Sequence, residues 1–118
     1  MAKAFADNPY VIGYQIGNEF AQESSGRCHC ENCAQKFRKY LEAKYKTIDN
    51  FNYACGTYFW GESFTDFSQV PLPIGNSSDY EYDHIRSYYD NPGLRLNYER
   101  FCSDSFKEYC DIQADAIR

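Results

Sequence analysis

The fold is decided by residues 10–20, which read YVIGYQIGNEF. The first seven, Tyr10 to Ile16, form a short β-branched and aromatic run with a proline before it and a glycine after it. Such a run is typical of a strand that is buried on both faces, as in a parallel sheet. It leads directly into Asn18-Glu19. Two polar side chains therefore stand at the carboxyl end of a predicted strand, where α/β folds place their active sites.

Helical patterns follow this strand. Residues 31–45 carry apolar side chains at i, i+3 and i+7 and predict an amphipathic helix. Thr47 is predicted to cap a short second helix that ends at Gly56. Residues 57–91 show little periodicity and predict a long excursion with short turns. The turn signal Asn91-Pro-Gly then precedes a helix that runs to the C-terminus, whose apolar face we place at Cys102, Phe106, Tyr109, Ile112 and Ala116.

One predicted strand cannot form a sheet, because its backbone groups would lack partners on both sides. We therefore predict the α/β class, as a partial (β/α)8 barrel segment of one or two strands with several helices, incomplete on its own. The 118 residues fit one domain, with the strand and Asn-Glu motif at 10–19, the cysteine loop at 26–33, and helices with an insertion at 34–118. A complete barrel has about 250 residues. The chain is interpreted either as part of a larger barrel or as one that pairs with copies of itself.

Composition narrows the function classes. The net charge is −5, and no stripe of Lys and Arg could neutralise phosphates, which argues against nucleic acid as a partner. No apolar run approaches the ~20 residues that cross a membrane, and the N-terminus lacks the apolar segment of a signal peptide. Aromatic residues make up 19% of the chain. We interpret most of them as packing surface, although exposed rings often stack on sugars.

Three of the six cysteines stand together in the motif CHCENC. Cys28, Cys30 and Cys33 lie on a tight loop that leads into a helix, and three thiolates so spaced can wrap one ion. We predict a structural zinc site, with three unmetallated thiols as the alternative. The fourth ligand could be water, chloride, His29 or a residue of another copy, although His29 is expected to point away; His84 is assigned to a loop. The other cysteines are interpreted as buried thiols in a reducing compartment.

The Asn-Glu pair suits glycoside hydrolysis. A glycosidase needs one carboxylic acid to protonate the leaving oxygen and a second carboxylate across the sugar. Glu19 can supply the acid, and the amide of Asn18 can hydrogen-bond the 2-hydroxyl of the sugar. Taken alone, the pair is better explained as an ordinary surface glutamate beside an asparagine.

The chain resembles glycoside hydrolase family 42, the β-galactosidases of the (β/α)8 barrel class, with residues 10–20 matching the fourth strand. The resemblance continues in the same order and spacing through Cys28–Cys33, Phe37-Arg38, Tyr40-Leu41, Tyr45, Thr47, Gly56–Trp60, Asn91–Leu94 and Arg100–Asp104. The sequence departs from the family pattern at Gly17, Ala21, Cys55 and Gly61-Glu62. These departures concern the subfamily and local loop geometry rather than the placement of Glu19.

The resemblance implies a retaining enzyme that hydrolyses terminal β-galactosides. Glu19 would be its acid/base and Asn18 a substrate-binding residue, while the nucleophile would be a Glu of a later strand without a counterpart here. The isolated chain would then be inactive. The resemblance also implies a structural zinc on Cys28, Cys30 and Cys33 without an organic cofactor. We further expect a cytoplasmic location in a bacterium, in keeping with the reducing compartment, and association into a homo-oligomer. The alternatives are a non-catalytic zinc-stabilised module and a barrel glycosidase of other sugar specificity.

Overall fold

The computed structural model describes residues 2–20, 27–73 and 91–118. Within these ranges the chain forms three α-helices: α1 (Glu31–Tyr45), α2 (Ile48–Cys55) and α3 (Pro92–Ile117). Short 3-10 helices span Ala2–Phe5, Phe59–Gly61 and Phe67–Gln69. Part of the predicted cysteine loop and much of the predicted insertion, including His84, lie outside the described residues. None of the described helices has the length and apolar character needed to cross a membrane.

Helices α1 and α2 occupy the predicted positions, because local sequence signals set their ends. Helix α1 buries the predicted stripe of Ala34, Phe37 and Leu41. Thr47 caps α2, since its hydroxyl oxygen accepts a hydrogen bond from the backbone N–H of Asn50 at 3.2 Å. Gly56 ends α2 with a φ of 63°, the left-handed conformation that favours glycine.

The predicted turn at Asn91 starts α3 and also joins it to α2. The Asn91 side chain accepts a hydrogen bond from the N–H of Leu94 at 2.9 Å and donates one to the carbonyl of Cys55 at 2.8 Å. A Cβ atom at Gly93 would lie 2.9 Å from Cα of Cys55. Glycine therefore permits the close approach of the two helices at this point.

The core lies where α1, α2 and the first half of α3 meet, together with the segment around the 3-10 helix Phe67–Gln69. The Phe37 ring contacts Tyr98 edge-on, with ring centroids 5.3 Å apart, and contacts Phe101 at 5.5 Å. Burial of each such aromatic side chain contributes about 1.5–3 kcal/mol. The buried cluster comprises Phe37, Leu41, Phe51, Cys55, Val70, Leu94, Tyr98 and Phe101.

The strand predicted at Tyr10–Ile16 is not formed in the described residues. Residues 11–17 have neither helical nor strand hydrogen bonding, and the side chains of Tyr10 and Ile12 are 90% and 102% exposed. No strand occurs anywhere in the described ranges. The physical reason is that a single strand has no neighbouring strand to accept and donate its backbone hydrogen bonds, so its N–H and C=O groups bond to water instead. The described residues therefore form a helical unit, and the predicted partial barrel is not seen in them.

The predicted apolar face of α3 is also only partly correct. Helix α3 buries Leu94, Tyr98 and Phe101. These residues all lie before Cys102, where the predicted apolar face begins. Tyr109 and Ile112 are 55% and 64% exposed. Helix α3 has 26 residues and α1 has 15, so at ~1.5 Å per residue the end of α3 extends beyond the core. The pattern marked residues able to be buried, but the buried core of the described residues does not extend to Tyr109 and Ile112.

Candidate functional site

The Asn-Glu motif lies on a tightly turned backbone directly after residues 11–17, which form neither helix nor strand. Gly17 has a φ of 65° and Glu19 a φ of 43°. A glutamate with positive φ is uncommon, and among the described non-glycine residues only Lys46 shares this feature. Gln15 Nε2 donates a hydrogen bond to Asn18 Oδ1 at 3.1 Å. Asn18 Nδ2 makes no hydrogen bond to the described residues, so it can still donate to a ligand hydroxyl.

Phe20 attaches the motif to α3. Its ring lies 6.1 Å from that of Phe106 and 6.2 Å from that of Tyr109, measured between centroids. Two atoms of the same ring lie 2.9 Å from the point where a Cβ atom would stand at Gly17. A Cβ atom at position 17 would crowd this ring, so glycine suits the local packing. Glu19 lies exposed two positions further on.

The three clustered cysteines come together as predicted from their spacing. Their sulfur atoms all lie within 4.8 Å of one another, and Sγ of Cys28 and Sγ of Cys30 are 3.3 Å apart. Two thiolates on a tetrahedral zinc ion are about 3.8 Å apart, given a Zn–S distance of about 2.3 Å. The donor set and its spacing therefore fit three corners of a zinc site. Cys28 and Cys30 are exposed, and Cys33 is half-buried at the start of α1.

The pKa values of the Cys30 and Cys33 thiols shift in opposite directions. The backbone N–H of Cys33, followed by the thiols of Cys28 and Cys33, stabilises the thiolate of Cys30 and lowers its pKa. Burial, followed by the hydrogen bonds of the other two sulfurs, raises the pKa of Cys33 to about 12. The thiol of Cys33 therefore holds its proton more tightly than that of Cys30. A metal ion bound by all three sulfurs would displace that proton.

His29 points away from the sulfurs. Its Nε2 lies 3.1 Å from the carbonyl oxygen of Pro73, which can only accept, so Nε2 carries the proton and donates. Its ring packs on Tyr98 at a centroid distance of 5.5 Å. The group of potential ligand atoms contains the three sulfurs and not this histidine. A fourth ligand is not found among the described residues.

Comparison with known proteins decides the family. The model of glycoside hydrolase family 42, described as "Beta-galactosidase", matches residues 1–118. The chain belongs to glycoside hydrolase family 42. It is 39% identical over 118 residues to β-galactosidase BgaA of Clostridium cellulovorans, covering all of this chain and 16% of that protein. It is 34% identical over 120 residues to β-galactosidase BglY of Alicyclobacillus acidocaldarius, covering all of this chain and 15% of that protein.

Solved structures of β-galactosidases share the path of this family 42 chain. The enzyme from the haloarchaeon Halorubrum lacusprofundi superposes with a TM-score of 0.82 at 35% identity, over 99% of this chain and 16% of that one. The enzyme from the psychrophilic Marinomonas ef1 superposes with a TM-score of 0.83 at 27% identity, also over 99% of this chain. The chain thus spans about 16% of the length of the relatives it matches. Its helices and loops follow one segment of those longer proteins.

Sequence reasoning missed two buried polar side chains that join separate elements of this family 42 chain. Asn52 Oδ1 accepts from the hydroxyl of Thr57 at 2.6 Å and from the N–H of Phe64 at 3.1 Å. Asn52 Nδ2 donates to the carbonyl of Phe64 at 2.7 Å. The second is Asn97, whose Oδ1 accepts from Lys44 Nζ at 2.6 Å. A polar residue inside an otherwise apolar helical stripe was the available signal at both positions.

Proposed function

We propose that this chain is the segment of a retaining β-galactosidase that carries the general acid/base, Glu19, and the substrate-binding amide of Asn18. The proposal is carried by one observation: in a family 42 chain, an exposed glutamate with a φ of 43° directly follows an asparagine amide. Backbone in this region costs about 1–3 kcal/mol and is concentrated at functional sites. Glu19 and Asn18 together provide a proton donor and a hydrogen-bond donor next to each other.

The reaction would proceed in two steps. The Glu19 carboxylic acid gives its proton to the glycosidic oxygen as the bond from that oxygen to the sugar breaks, while a second carboxylate forms a bond to the same sugar carbon. The Glu19 carboxylate then takes a proton from a water molecule, whose oxygen displaces the second carboxylate. Asn18 Nδ2 would donate to the 2-hydroxyl throughout. We assign the second carboxylate to a Glu outside residues 1–118, ~5 Å from Glu19.

Leaving-group dependence tests the role of Glu19 in the full-length protein that contains this chain. A lost general acid matters most for a poor leaving group, so Glu19→Gln should lower kcat/KM for methyl β-galactoside by about 10²–10⁴-fold. The loss should be smaller for 2,4-dinitrophenyl β-galactoside, which needs little protonation. Glu42→Gln, at an exposed position on α1, serves as the control and should leave both rates unchanged. Equal losses for the two substrates in Glu19→Gln would contradict the assignment.

The 118-residue chain alone should not hydrolyse galactosides, because under this proposal it lacks the nucleophile. Incubation of the purified chain with 4-nitrophenyl β-galactoside should release nitrophenol at the background rate. Turnover above background that disappears in Glu19→Gln would show that both carboxylates are present in the chain.

A structural zinc is the second part of the proposal. Cys28, Cys30 and Cys33 would hold it, and the fit of their sulfur positions supports this assignment. When bound, the ion would cross-link the loop and the start of α1 without taking part in hydrolysis. Elemental analysis of the purified chain should find one zinc per chain. Removal of that zinc with a chelator should lower the melting temperature, whereas a metal-free chain with an unchanged melt would refute this part.

The same cysteine cluster favours one alternative function, a non-catalytic zinc-stabilised module. It predicts the zinc and the chelator-sensitive melt but no galactoside hydrolysis by the full-length protein. Activity of that protein therefore separates the two functions. We also infer a cytoplasmic location, supported by six free cysteines, and propose galactosides as substrates and association between copies of the whole enzyme.

A further inference from the structure

The cysteine loop is attached to the core through its backbone rather than through its sulfurs. The hydroxyl of Tyr98 donates a hydrogen bond to the carbonyl oxygen of Cys28 at 3.0 Å, across 70 positions of sequence. The next residue, His29, packs its ring on the Tyr98 ring and bonds to the carbonyl of Pro73. The sulfurs of Cys28 and Cys30 therefore stay exposed, while contacts with Tyr98 and Pro73 hold the chain at residues 28 and 29.

Tyr98 itself is held rigidly. Its side chain is 2% exposed, and its ring meets Phe37 edge-on at 5.3 Å and stacks on Phe101 at 6.2 Å. A side chain packed on several sides in this way has little room to move, so its hydroxyl stays directed at the carbonyl of Cys28. An exposed tyrosine would have to lose rotamer freedom to do the same.

The position of Phe37 gives this contact its significance. Phe37 lies on α1 one helical turn after Cys33, and side chains four residues apart share a helix face. Tyr98 thus touches both ends of the cysteine loop: its hydroxyl binds the Cys28 carbonyl, and its ring packs on the turn of α1 that follows Cys33. One buried side chain of α3 therefore contacts the main chain of the first ligand and the helix that carries the third.

We propose that Tyr98 is a positioning residue of the cysteine metal site, which holds Cys28 at the distance from Cys33 that a single metal ion requires. The inference rests on the proposed zinc site and is independent of the proposed galactosidase chemistry. Groups that orient metal ligands through a hydrogen bond commonly change metal affinity by about 10–100-fold when they are removed. Loss of the Tyr98 hydroxyl should act in the same way, since it frees the main chain of the first ligand.

Tyr98→Phe is the direct test, with Tyr40→Phe as the matched control. Tyr40 belongs to the same aromatic cluster, with its ring 5.7 Å from that of Phe101, but its hydroxyl makes no hydrogen bond to the described residues. Zinc affinity of the purified chain is measured by competition with a chromophoric chelator. We expect Tyr98→Phe to weaken zinc binding by about 10-fold or more, and Tyr40→Phe to leave it unchanged.

Cobalt substitution separates positioning from general destabilisation. At saturating Co²⁺, thiolate-to-cobalt charge transfer and the visible d–d bands report the ligand geometry. Tyr98→Phe should alter these bands. Tyr45→Phe should keep the wild-type spectrum, because the Tyr45 hydroxyl bonds to Asn97, away from the cysteine loop. Should Tyr98→Phe fail to fold, the wild-type chain gives a second readout, since the ¹³Cζ resonance of Tyr98, and not that of Tyr40, should shift on zinc addition.

Each outcome decides the proposal. A wild-type chain that binds zinc, with the same affinity and cobalt spectrum in Tyr98→Phe, overturns the role of Tyr98 and leaves the zinc site intact. An unshifted Tyr98 resonance on zinc addition has the same meaning. A wild-type chain that binds neither metal overturns both the zinc site and the positioning role. Galactoside hydrolysis by the full-length protein is tested separately and is affected by none of these results.

Discussion

The Asn52 side chain allows a quantitative test of how the loop after α2 is held. It is 2% exposed and makes three hydrogen bonds, to the Thr57 hydroxyl and to both backbone groups of Phe64. Asn52→Ala would leave the hydroxyl of Thr57, itself 1% exposed, and the Phe64 groups without these partners. Each buried polar group that loses its partner costs about 1–3 kcal/mol. Because water can reach the part-buried Phe64 groups, we expect a total loss of about 3 kcal/mol.

Asn50→Ala is the matched control, because Asn50 lies on the same helix and is exposed. Its side chain donates one hydrogen bond, to the carbonyl of Tyr45 at 3.0 Å, and its loss should cost about 0.5–1.5 kcal/mol. Urea unfolding of both variants and of the wild type, followed by circular dichroism, measures the difference. Equal midpoints for Asn52→Ala and Asn50→Ala would refute the reasoning, since they would mean that the buried network contributes no more to stability than one exposed hydrogen bond.

Three further outcomes follow from other parts of the molecule. Gly17→Ala should cost about 1–2 kcal/mol of local strain at positive φ and displace the Phe20 ring. The displacement should shift the NMR resonances of Phe106 and Tyr109. Gly13→Ala, with open space around the substituted position, should leave these resonances unchanged. Stability should fall as pH rises above the unfolded-state pKa of 9.0, because burial raises the pKa of the Cys55 thiol in the folded chain. Equal urea midpoints at pH 7 and pH 10 would contradict this. Glu99→Gln, which breaks the half-exposed 2.6 Å ion pair with Arg27, should change stability by no more than about 1 kcal/mol in the same urea assay.

Local chemistry explains why much of the helical structure was predictable from the sequence. The ends of α1 and α2 depend on neighbours within one turn, such as the Thr47 cap and the left-handed Gly56, so a short window of sequence contains the needed information. The approach of the three cysteine sulfurs is predictable for the same reason, because all three lie within one loop and the first turn of a helix. The turn at Asn91 likewise fixed the start of α3.

Partners distant in sequence explain the failures. Residues 10–16 have the composition of a buried strand, but a strand needs neighbours, and the described chain gives Ile12 none. The apolar stripe at Tyr109 and Ile112 is correct as a pattern, although the core ends before it. The bond from Tyr98 to Cys28 spans 70 positions, and no periodicity in the sequence could indicate which tyrosine hydroxyl makes it.

The central claim, that Glu19 is the acid/base of a retaining galactosidase, is tested most directly by azide rescue. In the full-length protein, Glu19→Ala should still react with 2,4-dinitrophenyl β-galactoside, because this leaving group needs no acid, and should then stall for want of a base to activate water. Added azide needs no such base, so it should restore turnover and yield β-galactosyl azide. Failure of azide to accelerate turnover, or formation of the α-anomer, would contradict the account.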